Sequence, residues 1–287
     1  MKRFVYTIVV GAFCLTSHAM HLDDTRYLKV DSITICRLLS EARALPASTN
    51  LPLHFAHKFV GVPYVASTLE GDKHERLVVN TRQLDCTTLV ETVTALTLCT
   101  QRKHFTWFAY QHALVDLRYR EGVLSGYPSR LHYFTEWITD NARAGLVTEI
   151  QQPNPPFVAV QTVKVNYMST HSQRYQALRE HPEFVKDIVQ AEHRVSGAKY
   201  RYIPKRWVGN NKLLRRAIKD GDIIAITCNK TGLDIAHVGF AEWRQDGLHL
   251  LNASQLHHKV VLEPMTLFRY LQKHPSHTGI RIVRINK

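Results

Sequence analysis

Leu84-Asp85-Cys86-Thr87-Thr88-Leu89-Val90-Glu91 opens the clearest helix in the sequence. The spacing of Leu89, Val90, Val93 and Leu96 predicts one buried stripe on a helix over 86–100. Asp85 is a favourable N-cap residue, and Thr88-x-x-Glu91 repeats the capping-box pattern just inside it. Cys86 therefore falls in the first turn, where free backbone N–H groups and the helix dipole stabilise negative charge. At such a position a thiol pKa can fall from about 8.5 into the range of roughly 3.5–7.5. A lone first-turn cysteine can equally be a small apolar residue, so a nucleophile needs a partner elsewhere in the chain.

A thiolate nucleophile requires a base to hold its proton and a third polar group to orient that base. His237 and Asn252 supply both, on strands joined through Arg244-Gln245-Asp246-Gly247, which reads as a hairpin turn. In a hairpin whose loop has an even number of residues, directly paired positions sum to an odd total. The sum of 237 and 252 is odd, so both side chains project from one face. A four-residue loop at 244–247 puts Asn252 two positions from the residue opposite His237, within side-chain reach. A three- or five-residue loop would send them to opposite faces.

The rest of the chain divides by character. Ile33, Cys36, Leu39 and Ala42 recur at helical spacing over 33–44, ahead of Pro46. Further helices are predicted over 106–119 and 133–144, with a polar, charged helix over 172–193. Residues 76–80 read as a short extended segment. Strands dominate the last third: 221–226, 237–240, 248–252, 259–262 and 280–283. Helices first and strands later is the α+β pattern, with N-terminal helices packed on a C-terminal antiparallel β-sheet. A single domain over 20–287 is expected, with a helical extension at about 20–58.

Several blocks resemble the NlpC-type papain-like amidases and peptidases, in particular their N-acetylmuramoyl-L-alanine amidase-like branch. Gly61-Val62-Pro63-Tyr64-Val65 resembles the motif that sets a tyrosine beside the nucleophile, and residues 84–91 resemble the nucleophile helix. Gly221-Asp222-Ile223, His237-Val238-Gly239-Phe240 and Leu251-Asn252-Ala253-Ser254 resemble the strands that precede the base, carry it and carry the third residue. The order agrees over roughly 59–287. Thr87-Thr88 replaces the usual Ser-Gly after the nucleophile, and the tyrosine motif lacks its usual glycine pair. Both departures point to the amidase-like branch. Asn252 stands where the superfamily more often has histidine, which is the papain arrangement.

The resemblance implies a papain-like fold with Cys86, His237 and Asn252 as catalytic residues. It implies substrate binding by Tyr64, Asp85, Arg130, His132 and Tyr133, the last three from the block Gly126 to Tyr133. It further implies attack of Cys86 on the amide between the lactyl group of N-acetylmuramic acid and L-alanine, with no cofactor and no metal. A cut within the stem peptide, a non-catalytic wall-binding protein and an acyltransferase are the competing readings.

Outside these blocks, Met1-Lys2-Arg3 and the apolar run to Leu15 read as a secretory leader, with Ser17-His18-Ala19 as the cleavage site and 1–19 removed. Phe13 before Cys14 is too bulky for a lipidation motif. Periplasmic or secreted placement follows. Removing Lys2 and Arg3 leaves 35 basic against 24 acidic residues, a formal charge of +11. That charge suits cell-wall polymer, anionic headgroups or lipopolysaccharide, and export disfavours nucleic acid. No long apolar segment follows the leader, so no stable membrane insertion is expected. If Cys86 stays reduced, at most one disulfide joins two of Cys36, Cys99 and Cys228. Ser196-Gly-Ala-Lys199 with Lys230-Thr231-Gly232 imitates penicillin-recognising motifs, but the gap is far too short for that fold. His54-x-x-His57 and His257-His258 lack an accompanying zinc-ligand pattern.

Overall fold

The computed structural model describes residues 22–287, so the leader assigned to 1–19 lies outside the described residues. Five helices come first: α1 (Lys29–Ala42), α2 (Leu51–Lys58), α3 (Cys86–Gln101), α4 (Trp107–Arg118) and α5 (Phe134–Arg143). Strands β1 (Val147–Ile150) and β2 (Ala159–Thr162) lead into a helical insert of α6 (Tyr167–Thr170), α7 (Gln176–Glu180) and α8 (Val185–Val195). Then follow β3 (Lys199–Pro204), α9 (Lys212–Ala217), β4 (Ile223–Cys228), β5 (Ile235–Trp243), β6 (Leu248–Ser254), β7 (Lys259–Leu262), α10 (Leu267–Lys273) and β8 (His277–Ile285).

The fold is α+β. One sheet runs β2-β3-β8-β4-β5-β6-β7, with β1 also on β8 and each of these pairings antiparallel. The five strands read from the sequence are β4 to β8. Strands β1, β2 and β3 were not foreseen: they are short and carry Thr148, Glu149, Gln161, Lys199 and Arg201, so no apolar run marks them.

All six residues of β4 are buried, which follows from its place between β8 and β5 with both faces covered. Its alternation splits between two cores. Ile223 and Ala225 join Val238, Phe240 and Leu251 under the N-terminal helices. Ile224 and Ile226 join Ala241, Leu250, Ile280 and Ile282 beneath Leu214 of α9 and Leu267 and Leu271 of α10. The expectation of helices on one face is therefore incomplete, because two short C-terminal helices close the other.

Helix α3 is central rather than amphipathic: every residue from Thr88 to Cys99 is buried. It packs on α1, α2 and α4 and on strands β5 and β6. Two of its threonines bond back to the preceding turn: the Thr97 hydroxyl donates to the Val93 carbonyl at 2.8 Å and the Thr100 hydroxyl to the Leu96 carbonyl at 2.9 Å. Helix α1 begins earlier than read, and its buried face is Ile35, Leu38, Leu39 and Ala42, while Ile33 and Cys36 face solvent. The sequence stripe was rotated because Ile33 and Cys36 were counted as core. The long helix read over 172–193 is broken into short pieces at His181-Pro182. Proline removes a backbone donor and disfavours helical backbone in the residue before it.

Candidate active site

The start of α3 is built by reciprocal capping. Asp85 Oδ1 accepts from the Thr88 N–H at 2.8 Å, and the Asp85 N–H donates to Thr88 Oγ1 at 2.9 Å. Glu91 takes no part in this cap, contrary to the Thr88-x-x-Glu91 pattern. It lies buried against Arg118, whose Nε donates to it at 2.7 Å, and Arg118 also donates to the Val78 carbonyl at 2.7 Å. The capped geometry leaves the Cys86 amide in the first turn with no intrahelical acceptor. The turn-rich segment at Pro63–Val65 runs alongside. The Leu84 N–H donates to Pro63 O at 3.0 Å and the Val65 N–H to Leu84 O at 3.1 Å. Tyr64 is thereby set near Cys86 and Asp85, and burial with those neighbours pushes its phenol up to about 12, so it remains a neutral donor.

His237 and Asn252 meet as the hairpin arithmetic requires. Trp243 pairs with Leu248, Ala241 with Leu250 and Phe240 with Leu251, so the loop has four residues, 244–247. Continued down the strands, that register puts Gly239 opposite Asn252, and His237 two positions away. His237 Nε2 lies 2.9 Å from Asn252 Oδ1. Asn252 Nδ2 is turned to the carbonyls of Leu250 (3.1 Å) and Val261 (3.5 Å), which only accept, so Oδ1 is the acceptor and Nε2 carries the proton. Nδ1 is then the free lone pair. Gly239 makes the approach possible: a Cβ there would lie 2.7 Å from the Leu251 carbonyl oxygen and 2.9 Å from Asn252 Cβ. Tyr270 of α10 stands beside the imidazole, with ring centroids 6.4 Å apart.

The electrostatics differ from the sequence expectation. Burial, reinforced by the Asp85 charge, pushes the Cys86 thiol up to about 12, against the opposing pull of the Val238 and Thr87 amides and the Thr87 hydroxyl. Burial also lowers the His237 pKa below its ordinary value, partly offset by Asn252. Both shifts favour the neutral thiol and the neutral imidazole over the ion pair. The helix dipole by itself favours a thiolate at this position, and desolvation opposes it.

Cys86 and His237 line one cleft of about 430 Å3, with His132 and Tyr133 on its wall. Within that wall His132 Nε2 contacts the Tyr127 carbonyl at 2.9 Å, and burial followed by the Arg130 charge lowers its pKa to about 3. The Tyr133 hydroxyl donates to Glu192 at 2.7 Å and accepts from the Met168 N–H at 3.0 Å, which ties the insert to the body. Arg130 does not line this cleft. It is buried, with Glu70 at 2.7 Å and Glu75 at 2.6 Å, and forms the floor of a neighbouring cavity of about 290 Å3. Asp85 likewise serves as the helix cap. Residues missed by sequence reading line the far wall: Tyr127, Tyr175, Arg174 and Arg179, with Glu70 and Asp234 also present. Nothing in the local pattern marks them, since arginines in a polar stretch look like solvated surface.

All four cysteines within the described residues are free, Cys36 exposed and Cys99 and Cys228 buried. Two of the four histidines considered as zinc ligands are engaged otherwise, His57 with Glu242 at 2.8 Å and His257 with Glu263 at 3.1 Å. Among the described residues no group of three or more metal-type side chains converges, and no helix is long and apolar enough to cross a membrane.

An α+β scaffold that sets a thiol and an imidazole in one cleft, with a buried carboxamide behind the imidazole, defines a candidate amide-hydrolysing centre. The family model described as AmiA-like, N-acetylmuramoyl-L-alanine amidase-like, matches residues 54–280, and the chain belongs to that family. It is 40% identical to a solved N-acetylmuramoyl-L-alanine amidase from Bacteroides uniformis, with a TM-score of 0.77, covering 83% of this chain and 98% of that one. A Bacteroides fragilis protein that carries a provisional name, xylanase, is 39% identical at TM-score 0.76, covering 81% and 100%. A Legionella pneumophila protein at 22% identity and TM-score 0.70 shares the fold over 89% of this chain and 94% of its own. No curated protein matches the chain.

Proposed function

We propose that this chain is an exported, NlpC-type papain-like cysteine amidase that hydrolyses the bond between N-acetylmuramic acid and L-alanine in peptidoglycan or muropeptides. The observation that carries the reading is Cys86 at the capped N-terminus of α3, sharing a cleft with an imidazole whose Nε2–H is held by Asn252. In this mechanism His237 Nδ1 takes the thiol proton as the sulfur attacks the lactyl carbonyl. The Cys86 N–H and the Tyr64 hydroxyl receive the developing oxyanion. His237 then gives the proton to the departing L-alanine nitrogen, leaving a thioester. A water, deprotonated by the same Nδ1, hydrolyses the thioester and restores the thiol.

A glycosidase would instead need two available carboxyl groups across the cleft. Glu70 is held by Arg130 at 2.7 Å, and Asp234 accepts the Thr135 N–H at 2.8 Å in the first turn of α5. The test is incubation with purified muropeptides and mass spectrometry of the fragments. Release of an intact stem peptide beginning at L-alanine, absent with Cys86→Ala, is the expected result. Cleavage inside the peptide would transfer the chain to the endopeptidase reading, and equal hydrolysis by Cys86→Ala would end the cysteine mechanism. N-terminal sequencing of the exported protein tests the cut after Ala19.

A further inference from the structure

The insert wall of the cleft presents two guanidinium groups that are oriented yet uncompensated. Arg174 and Arg179 are exposed and line the same cleft as Cys86 and His237. Arg174 Nη1 donates to the Tyr167 hydroxyl, with the guanidinium over the Tyr167 ring at 5.8 Å, and Tyr167 in turn stacks on His171 at 4.2 Å. Arg179 Nη1 donates to the Gln173 carbonyl at 3.0 Å. Both partners are neutral, and among the described residues neither arginine pairs with a carboxylate. The acidic groups that reach the cleft are already engaged, Glu70 by Arg130 and Asp234 by the start of α5. Guanidinium groups held in place without a counter-ion beside a nucleophile are suited to bidentate recognition of a carboxylate.

We infer that Arg174 and Arg179 form a carboxylate-binding subsite for the peptide portion of the substrate, on the leaving-amine side of the scissile bond. The inference rests on the amidase reading above and assigns which half of the substrate faces the insert. The sugar side of a muramoyl amide is neutral once its lactyl acid is in amide linkage. The stem peptide beyond L-alanine carries free carboxylates, and it is the half that an unpaired arginine pair can recognise. The cleft is of a size that holds a few residues.

The experiment uses two muropeptides identical except that the stem-peptide carboxylates are free in one and converted to primary amides in the other. The wild-type chain is expected to favour the free acid by about tenfold or more in kcat/KM, carried by KM. In the Arg174→Gln/Arg179→Gln variant KM for the free acid rises about tenfold and the preference falls to near one, whereas Arg174→Lys/Arg179→Lys restores part of it. Both side chains are exposed, so an unchanged thermal midpoint is expected to accompany the kinetic loss. Equal KM for the two substrates in the wild type, or a preference that survives in the glutamine variant, overturns the subsite and leaves the amidase reading standing. Hydrolysis of neither substrate by the wild type overturns both.

Discussion

Gly239→Ala isolates the contact on which the His237–Asn252 pair depends. The added methyl would sit 2.7 Å from the Leu251 carbonyl oxygen and 2.9 Å from Asn252 Cβ, both on strand β6. Neither is the flexible end of a side chain, so β5 and β6 must separate locally by roughly 0.5 Å or more, at an overpacking cost of about 1–3 kcal/mol. That opening acts directly on the 2.9 Å His237–Asn252 hydrogen bond, because Asn252 stands opposite Gly239. Misplacement of about 1 Å can cost on the order of a hundredfold in rate, so about tenfold in kcat is expected here, with KM little changed. The assay pairs muropeptide turnover with urea unfolding, and Gly209→Ala is the control, since a Cβ there meets only Asn211 Nδ2 at 3.7 Å. If Gly239→Ala matched Gly209→Ala in both midpoint and kcat, the reasoning about strand approach would be refuted.

Four further outcomes follow from the charged and capped groups. In a Cys36→Ser background, which removes the exposed thiol, iodoacetamide alkylation of Cys86 should stay slow between about pH 5 and 8 and climb only at higher pH. A rate plateau already reached below neutrality would show a preformed thiolate and contradict the neutral pair. The acid limb of kcat/KM should fall below the ordinary histidine value of about 6.5, because burial depresses His237. Arg118→Met strands the buried Glu91 and should cost about 3–5 kcal/mol, whereas Asp85→Ala removes a helix cap and should cost about 1 kcal/mol; chemical denaturation of both reads the difference. For His132, lowered to about 3, the unfolded chain binds the proton first on acidification. Its stabilising contribution is therefore complete above about pH 6.5 and declines as pH falls. The slope stays below the roughly 1.4 kcal/mol per pH unit of a fully buried group, because the ring borders the open cleft. Urea midpoints of wild type and His132→Gln at pH 7 and pH 5 should diverge accordingly, and parallel curves would count against the assignment.

Much of the scaffold could be read along the chain where one local pattern decided the outcome. Asp85 caps α3 because its carboxylate reaches an amide only three residues on. The same locality misled for Glu91, where the sequence offers a cap but a buried Arg118, 27 residues away, offers a stronger partner. Periodicity placed α1 but rotated its face, since Ile33 and Cys36 look apolar whichever way the helix turns. Arg130 was expected at the substrate, yet Glu70 and Glu75 fold over it and take the guanidinium into the interior.

From the sequence alone come the α+β order, the first-turn position of Cys86 and the four-residue hairpin that sets His237 and Asn252 on one face. Each depends on spacing within a few residues or on strand parity, which a linear chain displays. Only the tertiary structure decided that a second helical layer closes the sheet, that Arg130 turns inward, and that Arg174 and Arg179 of the insert border the cleft containing a cysteine 88 and 93 positions earlier. Burial and charge compensation arise from groups brought together by packing, and those groups set the pKa values and free the arginines that neither spacing nor composition reveals.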